Sequence, residues 1–72
     1  MTTEELDLVR RYANMSAIYV PMEGEACRIL YCDDDEQAIY MEGEETGDEF
    51  MLMYHEVDLG NSIWYRLERL VL

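Results

Sequence analysis

The chain has 72 residues, half of them hydrophobic, and a formal net charge of −12 from 17 acidic residues, five arginines and no lysine. This charge predicts repulsion from nucleic acid and from anionic membranes, and it favours a basic protein as the partner. The abundant aliphatic and aromatic residues argue against disorder. The apolar runs are too short to cross a bilayer, and the acidic N-terminus is unlike a signal peptide. We therefore expect one domain, residues 1–72, in the cytoplasm.

The first predicted element is a helix over about residues 2–15. Thr2 and Glu5 have the spacing of a capping box, in which each residue satisfies a backbone N–H of the other. Three apolar residues share one helical face: Leu6, Val9 and Ala13. This pattern predicts an amphipathic helix that packs on another layer.

After residue 15 the chain alternates short apolar runs with turns rich in Gly, Asp and Glu. The runs predict strands at about 16–22, 26–33, 37–42, 49–57 and 62–71. Every connection is short enough for a hairpin, so an antiparallel meander is the simplest topology. The predicted fold class is α+β, with the N-terminal helix packed on a meander of four or five strands that can curl into a partial barrel. The last segment also matches a helical stripe; a preceding Gly-Asn turn favours the strand, and both interpretations stay open.

The predicted strands are apolar on both faces. Alternation along 49–57 places Phe50 and Leu52 on one face and Met51 and Met53 on the other. The helix can cover only one face of the sheet. The other face predicts a homodimer or a partner protein that covers it.

Metal, cofactor and catalytic chemistry are not predicted. Cys27 and Cys32 fall on opposite faces of one predicted strand, roughly 17 Å apart, which is too far for a disulfide. With His55 as the one further good ligand, a structural zinc site is incomplete. The acidic run 33–36 lacks the alternating ligands and central glycine of an EF-hand. A chain of this size has little room for a catalytic cleft and carries no catalytic motif, so we predict that it is not an enzyme.

The acidic residues are concentrated in the turns, and the predicted topology groups them. Alternate turns of a meander lie at the same end of the sheet. The first and third turns would bring together one set of acids: Glu23, Glu25, Glu42, Glu44, Glu45, Asp48 and Glu49. The second and fourth turns would gather the others at the opposite end: Asp33, Asp34, Asp35, Glu36 and Asp58. We predict that the clusters contact the partner, with Tyr31, Tyr40 and Trp64 as aromatic anchors.

Two functions fit this pattern. The first is an acidic inhibitor, or nucleic-acid decoy, that blocks the nucleic-acid-binding site of a basic protein, as a phage or mobile element would antagonise a host nuclease. It explains a net charge beyond the magnitude of about 2–8 that usually suffices for solubility. The alternative is a small homo-oligomeric interaction or scaffold domain whose acidity serves solubility. A saline environment is a third explanation of the acidity.

Overall fold

The computed structural model describes residues 1–66 and consists of one helix followed by a five-stranded antiparallel sheet. The helix α1 spans Thr3–Met15, and the strands are β1 (Ser16–Val20), β2 (Cys27–Asp33), β3 (Ala38–Gly43), β4 (Glu49–Met53) and β5 (Ile63–Arg66). This architecture confirms the predicted α+β class with an N-terminal helix on an antiparallel sheet. Within residues 1–66, no helix has the length and apolar character needed to span a membrane.

The helix begins at the predicted cap. The Glu5 N–H donates to the Thr2 hydroxyl at 3.2 Å, and the Thr2 N–H donates to the Glu5 carboxylate at 2.9 Å. These bonds with Thr2 hold the pKa of Glu5 below its ordinary value, because they favour the ionised carboxylate. Val9 and Ala13 are buried and Leu6 packs against the core, which confirms the predicted apolar face.

The strand order is β4-β3-β2-β1-β5. The first four strands form the predicted meander, but β5 pairs with β1, from Ser16 opposite Arg66 to Val20 opposite Ile63. The prediction that all connections are hairpins is therefore wrong for the last strand. Because β4 and β5 are the two edges of the sheet, it is not closed into a barrel.

The predicted strand ends differ from the observed ones in several places. The predicted strand 16–22 ends at Val20, because Pro21 has no N–H to donate to the ladder. Of the predicted segment 62–71, Ile63–Arg66 forms β5. The remainder of that segment lies outside the described residues.

The predicted strand 49–57 ends at Met53 and continues as a short 3-10 helix, Tyr54–Glu56. The Met53 N–H donates to the Glu56 carboxylate at 2.8 Å, which caps this helix. Tyr54 and Val57 are both buried in the core. Because both side chains are buried against the helix layer, the chain leaves the strand and crosses the sheet to β5. The alternation of side chains between the two faces therefore ends at Met53.

The core lies between α1, the crossing segment 54–62 and one face of the sheet, here called the inner face; the opposite face is the outer face. The buried core residues are Val9, Ala13, Tyr19, Cys27, Ile39, Met41, Tyr54 and Val57. A β-bulge between Ile29 and Tyr31 shifts the alternation of β2 by one residue. Cys27 and Cys32 therefore both contact the core, and the prediction of opposite faces is wrong. Burial raises the pKa of the free Cys32 thiol to about 11.

Candidate partner-binding surface

The turns after β1 and β3 lie side by side at one end of the sheet, and Glu25 connects them. Its carboxylate accepts hydrogen bonds from the Thr46 hydroxyl at 2.7 Å and from the Thr46 N–H at 3.2 Å. Gly43 permits this approach, because a Cβ there would collide with the Glu25 carboxylate. This end carries the first acidic cluster, as the sequence predicts: Glu23, Glu25, Glu42, Glu44, Glu45, Asp48 and Glu49.

The second acidic cluster occupies the β2–β3 turn at the other end of the sheet and consists of Asp33, Asp34, Asp35 and Glu36. The Asp33 carboxylate accepts hydrogen bonds from the N–H groups of Asp35 at 3.0 Å and Glu36 at 3.2 Å. Gln37 completes the turn with a φ of 54°, in the left-handed region. The Asp33 carboxylate is therefore held by hydrogen bonds within its own turn.

Asp58 is not part of the second cluster, and its predicted placement is wrong. It lines a cavity together with Glu23 and Glu25 of the first cluster. The crossing segment carries residue 58 to that end of the sheet before β5 begins, whereas a hairpin would have kept it at the other end.

A buried tyrosine joins the second cluster to the helix. The Tyr54 hydroxyl donates to the Asp34 carboxylate at 2.6 Å, and the Asn14 amide donates to the same oxygen at 3.3 Å. The bond from Tyr54, supported by Asn14 and the charge of Arg10, lowers the pKa of Asp34. Burial and the same bond raise the pKa of Tyr54. Asp34 therefore stabilises the fold in addition to contributing charge.

We expect the variant Tyr54→Phe to lose stability in a pH-dependent way. Because the folded state lowers the pKa of Asp34, its stabilising contribution is complete above the ordinary carboxyl pKa, near 4, and disappears as the pH falls through the lowered value. Urea unfolding should show a stability gap between wild type and variant at about pH 7 that shrinks at about pH 2. Relief of charge repulsion in acid affects both proteins, so their difference isolates Asp34. An equal gap at both pH values would contradict this role.

One exposed and one half-buried tyrosine lie on the outer face, between the two clusters. Tyr31 and Tyr40 face each other across β2 and β3 and stack, with ring centroids 4.5 Å apart and planes inclined by 13°. Tyr31 is 57% exposed and the neighbouring Met51 is 46% exposed. We call Leu30, Tyr31, Tyr40 and Met51 the tyrosine patch; they line one shallow cavity. The structure thus brings two of the predicted anchors together on the outer face.

Carboxylates border the tyrosine patch at both ends. Burial raises the pKa of the Tyr40 hydroxyl, and the nearby charges of Glu36 and Asp33 raise it further. At the other end Glu49 lines the same cavity as the patch. Glu49 also lies directly opposite Glu42 on β3. Like charges in such a cross-strand pair destabilise a sheet, and a cationic partner would relieve their repulsion.

The third predicted anchor, Trp64, lies elsewhere. Its ring centroid is 4.6 Å from that of Tyr19 and 6.2 Å from that of Tyr12 on the helix. Its indole Nε1 is buried and has no hydrogen-bond partner among residues 1–66. Trp64 therefore packs between helix and sheet, on the inner face, separate from the tyrosine patch.

An open groove of about 520 Å³ lies on the inner face beside β4, and we call it the acidic groove. Its apolar lining includes Tyr19, Cys27, Phe50 and Leu52, and its carboxylates are Glu23, Glu25, Glu56 and Asp58. Burial raises the pKa of Tyr19, and the charge of Asp58 raises it further. Glu56 was not predicted as a site residue, because residues 49–57 were expected to form one strand. Alternation correctly placed Phe50 and Leu52 on the same face of the sheet.

Comparison with protein-family models, with curated proteins and with solved structures finds no match to this chain.

Most of the carboxylates in hydrogen bonds have uncharged partners. The described part of the chain contains two ion pairs: Arg10–Asp7 at 4.0 Å and Arg28–Glu42 at 3.4 Å. Glu25, Glu56 and Asp58 instead accept hydrogen bonds from N–H, hydroxyl and amide groups. These donors satisfy the oxygens without cancelling their charge. Residues 1–66 contain no group of three or more side chains arranged to hold a metal ion. The negative charge is therefore directed to the solvent.

Proposed function

We propose that the protein is an acidic inhibitor that occupies the nucleic-acid-binding site of a basic protein. The observation that carries this proposal is the position of the tyrosine patch between two acidic clusters. On the outer face, the cross-strand pairs Asp33–Ala38 and Glu42–Glu49 lie four residues apart along β3. This separation is roughly 14 Å, close to the width of about 12 Å between the phosphate strands that border a DNA major groove. Cations that bind two phosphate strands would meet carboxylates at a similar spacing.

Charge and aromatic contact have separate roles in this mechanism. The net charge of −12 accelerates the encounter with a basic surface and favours such a surface over other partners. The stacked rings of Tyr31 and Tyr40 provide rigid apolar area that loses little conformational entropy on binding. The partner class we propose is a host nuclease, antagonised by a phage or mobile element.

A competition experiment tests the proposal. The immobilised protein should retain a basic nuclease from a bacterial lysate at about 100 mM salt, where the Debye length is near 10 Å, and release it at about 1 M. Duplex DNA added at low salt should displace the nuclease, and the soluble protein should inhibit DNA cleavage. Retention of no basic protein at low salt, or retention unaffected by DNA, would refute the decoy function.

The alternative function, a homo-oligomeric scaffold, is favoured by the apolar character of the outer face. Its exposed side chains include Leu30, Tyr31, Met51 and Ile63. A scaffold should self-associate through this face whether or not the acids at Glu44, Glu45 and Asp48 are reversed. Sedimentation of the wild type and of that triple variant distinguishes the functions, since a decoy needs no self-association.

A further inference from the structure

We propose that the free edge of β4 binds an extended basic segment of the partner as an added strand. The inference rests on the proposed function and specifies how the partner is held. Strand addition takes its affinity from main-chain hydrogen bonds and its specificity from pockets for alternate side chains. β4 offers both features.

Two backbone bonds define the hydrogen-bonding phase of the β3–β4 ladder. The Gly43 N–H donates to the Asp48 carbonyl at 2.9 Å, and the Tyr54 N–H donates to the Gln37 carbonyl at 2.8 Å. Both pairs have the same register as the strand partners between them. In an antiparallel ladder, hydrogen-bonded pairs alternate with pairs that are not bonded. Starting from Asp48 and ending at Tyr54, every second residue therefore hydrogen-bonds to the segment 37–43, which includes β3.

This alternation assigns Phe50 and Leu52 to the bonds with β3. Glu49 and Met51 turn their N–H and C=O groups towards the free edge, where no other strand of residues 1–66 pairs. Beyond them, the Glu56 carboxylate occupies the Met53 N–H at 2.8 Å. The open stretch is therefore Glu49–Leu52, with both backbone groups of Glu49 and Met51 available to an added strand.

A concave surface lies on each side of this edge. On the inner face, Phe50 and Leu52 line the acidic groove, and on the outer face Met51 lines the cavity of the tyrosine patch, about 340 Å³ in volume. Side chains of an added strand alternate between the two faces as those of β4 do. One set of its side chains would therefore enter the acidic groove, and the other set would cover the tyrosine patch.

The two surfaces require different side chains. In the acidic groove, an arginine can pack its aliphatic stem on Phe50 and Leu52 while its guanidinium reaches the carboxylates of Glu23 and Asp58. Over the tyrosine patch, an apolar side chain contacts Met51 and the aromatic rings. The segment we infer alternates basic and apolar residues. A second copy of β4 would bring apolar side chains and further carboxylates to the groove, and no cation.

The test uses an acetylated and amidated six-residue peptide of alternating arginine and valine. Its binding at about 100 mM salt is followed by NMR shifts of the backbone amides. Met51→Pro removes one edge N–H without touching the bonds to β3, and Met51→Ser removes the same side chain but keeps the N–H. We expect the affinity for the peptide to be about tenfold lower in Met51→Pro than in Met51→Ser, because the proline variant loses edge hydrogen bonds.

Three controls separate strand addition from simple charge attraction. A peptide with three arginines followed by three valines has the same composition, and it should bind several-fold more weakly. Glu23→Arg, in the acidic groove, should weaken binding more than Glu45→Arg, an equal change of charge at the tip of the β3–β4 turn. Two peptides that are N-methylated at alternate amides, one at the odd and one at the even positions, test the edge hydrogen bonds on the wild-type protein. Only one of the two sets of amides faces β4 in an added strand, so one peptide should lose binding and the other should keep it.

Defined outcomes overturn the inference. They are equal affinity of the proline and serine variants, equal affinity of the two peptides, absence of peptide binding, or a wild-type dimer that Met51→Pro dissociates. Each leaves the decoy function standing if a basic nuclease is still retained and displaced by DNA. Failure of that retention overturns the decoy function itself, so the two failures are distinguishable.

Discussion

Replacing Ile39 by alanine should leave the protein largely unfolded at physiological temperature. Ile39 is in β3, which has a strand on each side, and its side chain is completely buried in the core. Truncation of a buried isoleucine to alanine costs about 2–5 kcal/mol, because apolar contact is lost and a cavity remains. A chain of 72 residues buries only about 60% of its unfolded surface, so its total stability is small. The expected loss is therefore comparable to the whole free energy of unfolding.

Thermal and urea unfolding followed by circular dichroism measure this effect. Ile63→Ala is the matched control, because the same side chain on edge strand β5 is 54% exposed. We expect the control to change the free energy of unfolding by about 0.5 kcal/mol or less. Ile39→Val should fall between the two, at about 0.5–1.5 kcal/mol. Equal stability of the two alanine variants would show that the core is not where the structure places it.

Reversing the charges that border the tyrosine patch should abolish partner binding. In Glu36→Arg with Glu49→Arg, both ends of the patch repel a basic surface that they attracted before. We expect the affinity for the retained nuclease to fall by about 100-fold or more at about 100 mM salt, since close interfacial charge pairs contribute about 1.5–7 kcal/mol each. Because Glu49 lies opposite Glu42, the variant should be no less stable than the wild type.

The matched control is Glu44→Arg with Glu45→Arg, which has the same net charge but changes the tip of the β3–β4 turn. It should slow association through weaker steering and leave dissociation nearly unchanged, whereas the patch variant should also accelerate dissociation. Surface plasmon resonance at several salt concentrations resolves the two rates. Identical losses in both variants would mean that only the total charge matters and that the patch is not the contact surface.

Local signals in the sequence predicted the elements well. The capping box of Thr2 and Glu5 and the spacing of Val9 and Ala13 depend on residues three or four positions apart, and α1 follows both. The first acidic cluster was also foreseeable, because two antiparallel strands lie between its two turns and return the chain to the same end of the sheet. The pairing of Tyr31 with Tyr40 was not, because it depends on the bulge in β2.

The path of the chain after β4 is the part that local patterns could not supply. In a strand, Tyr54 and Val57 would lie on opposite faces, but both are buried in the core beneath the helix. Their burial moves Asp58 to the opposite end of the sheet and creates the acidic groove. A site composed of residues as distant in sequence as Glu23 and Asp58 is invisible until the strand order is known.

The sequence by itself determined the α+β class, the helix cap, the first four strands and the excess of negative charge, because each depends on composition or on neighbours within one element. Tertiary structure decided which face remains free, where β5 pairs, and which carboxylates converge beside the edge of β4. These features depend on which distant segments bury their apolar side chains together. The chain forms the crossing segment 54–62 instead of a fourth hairpin because this segment covers the inner face with Tyr54 and Val57.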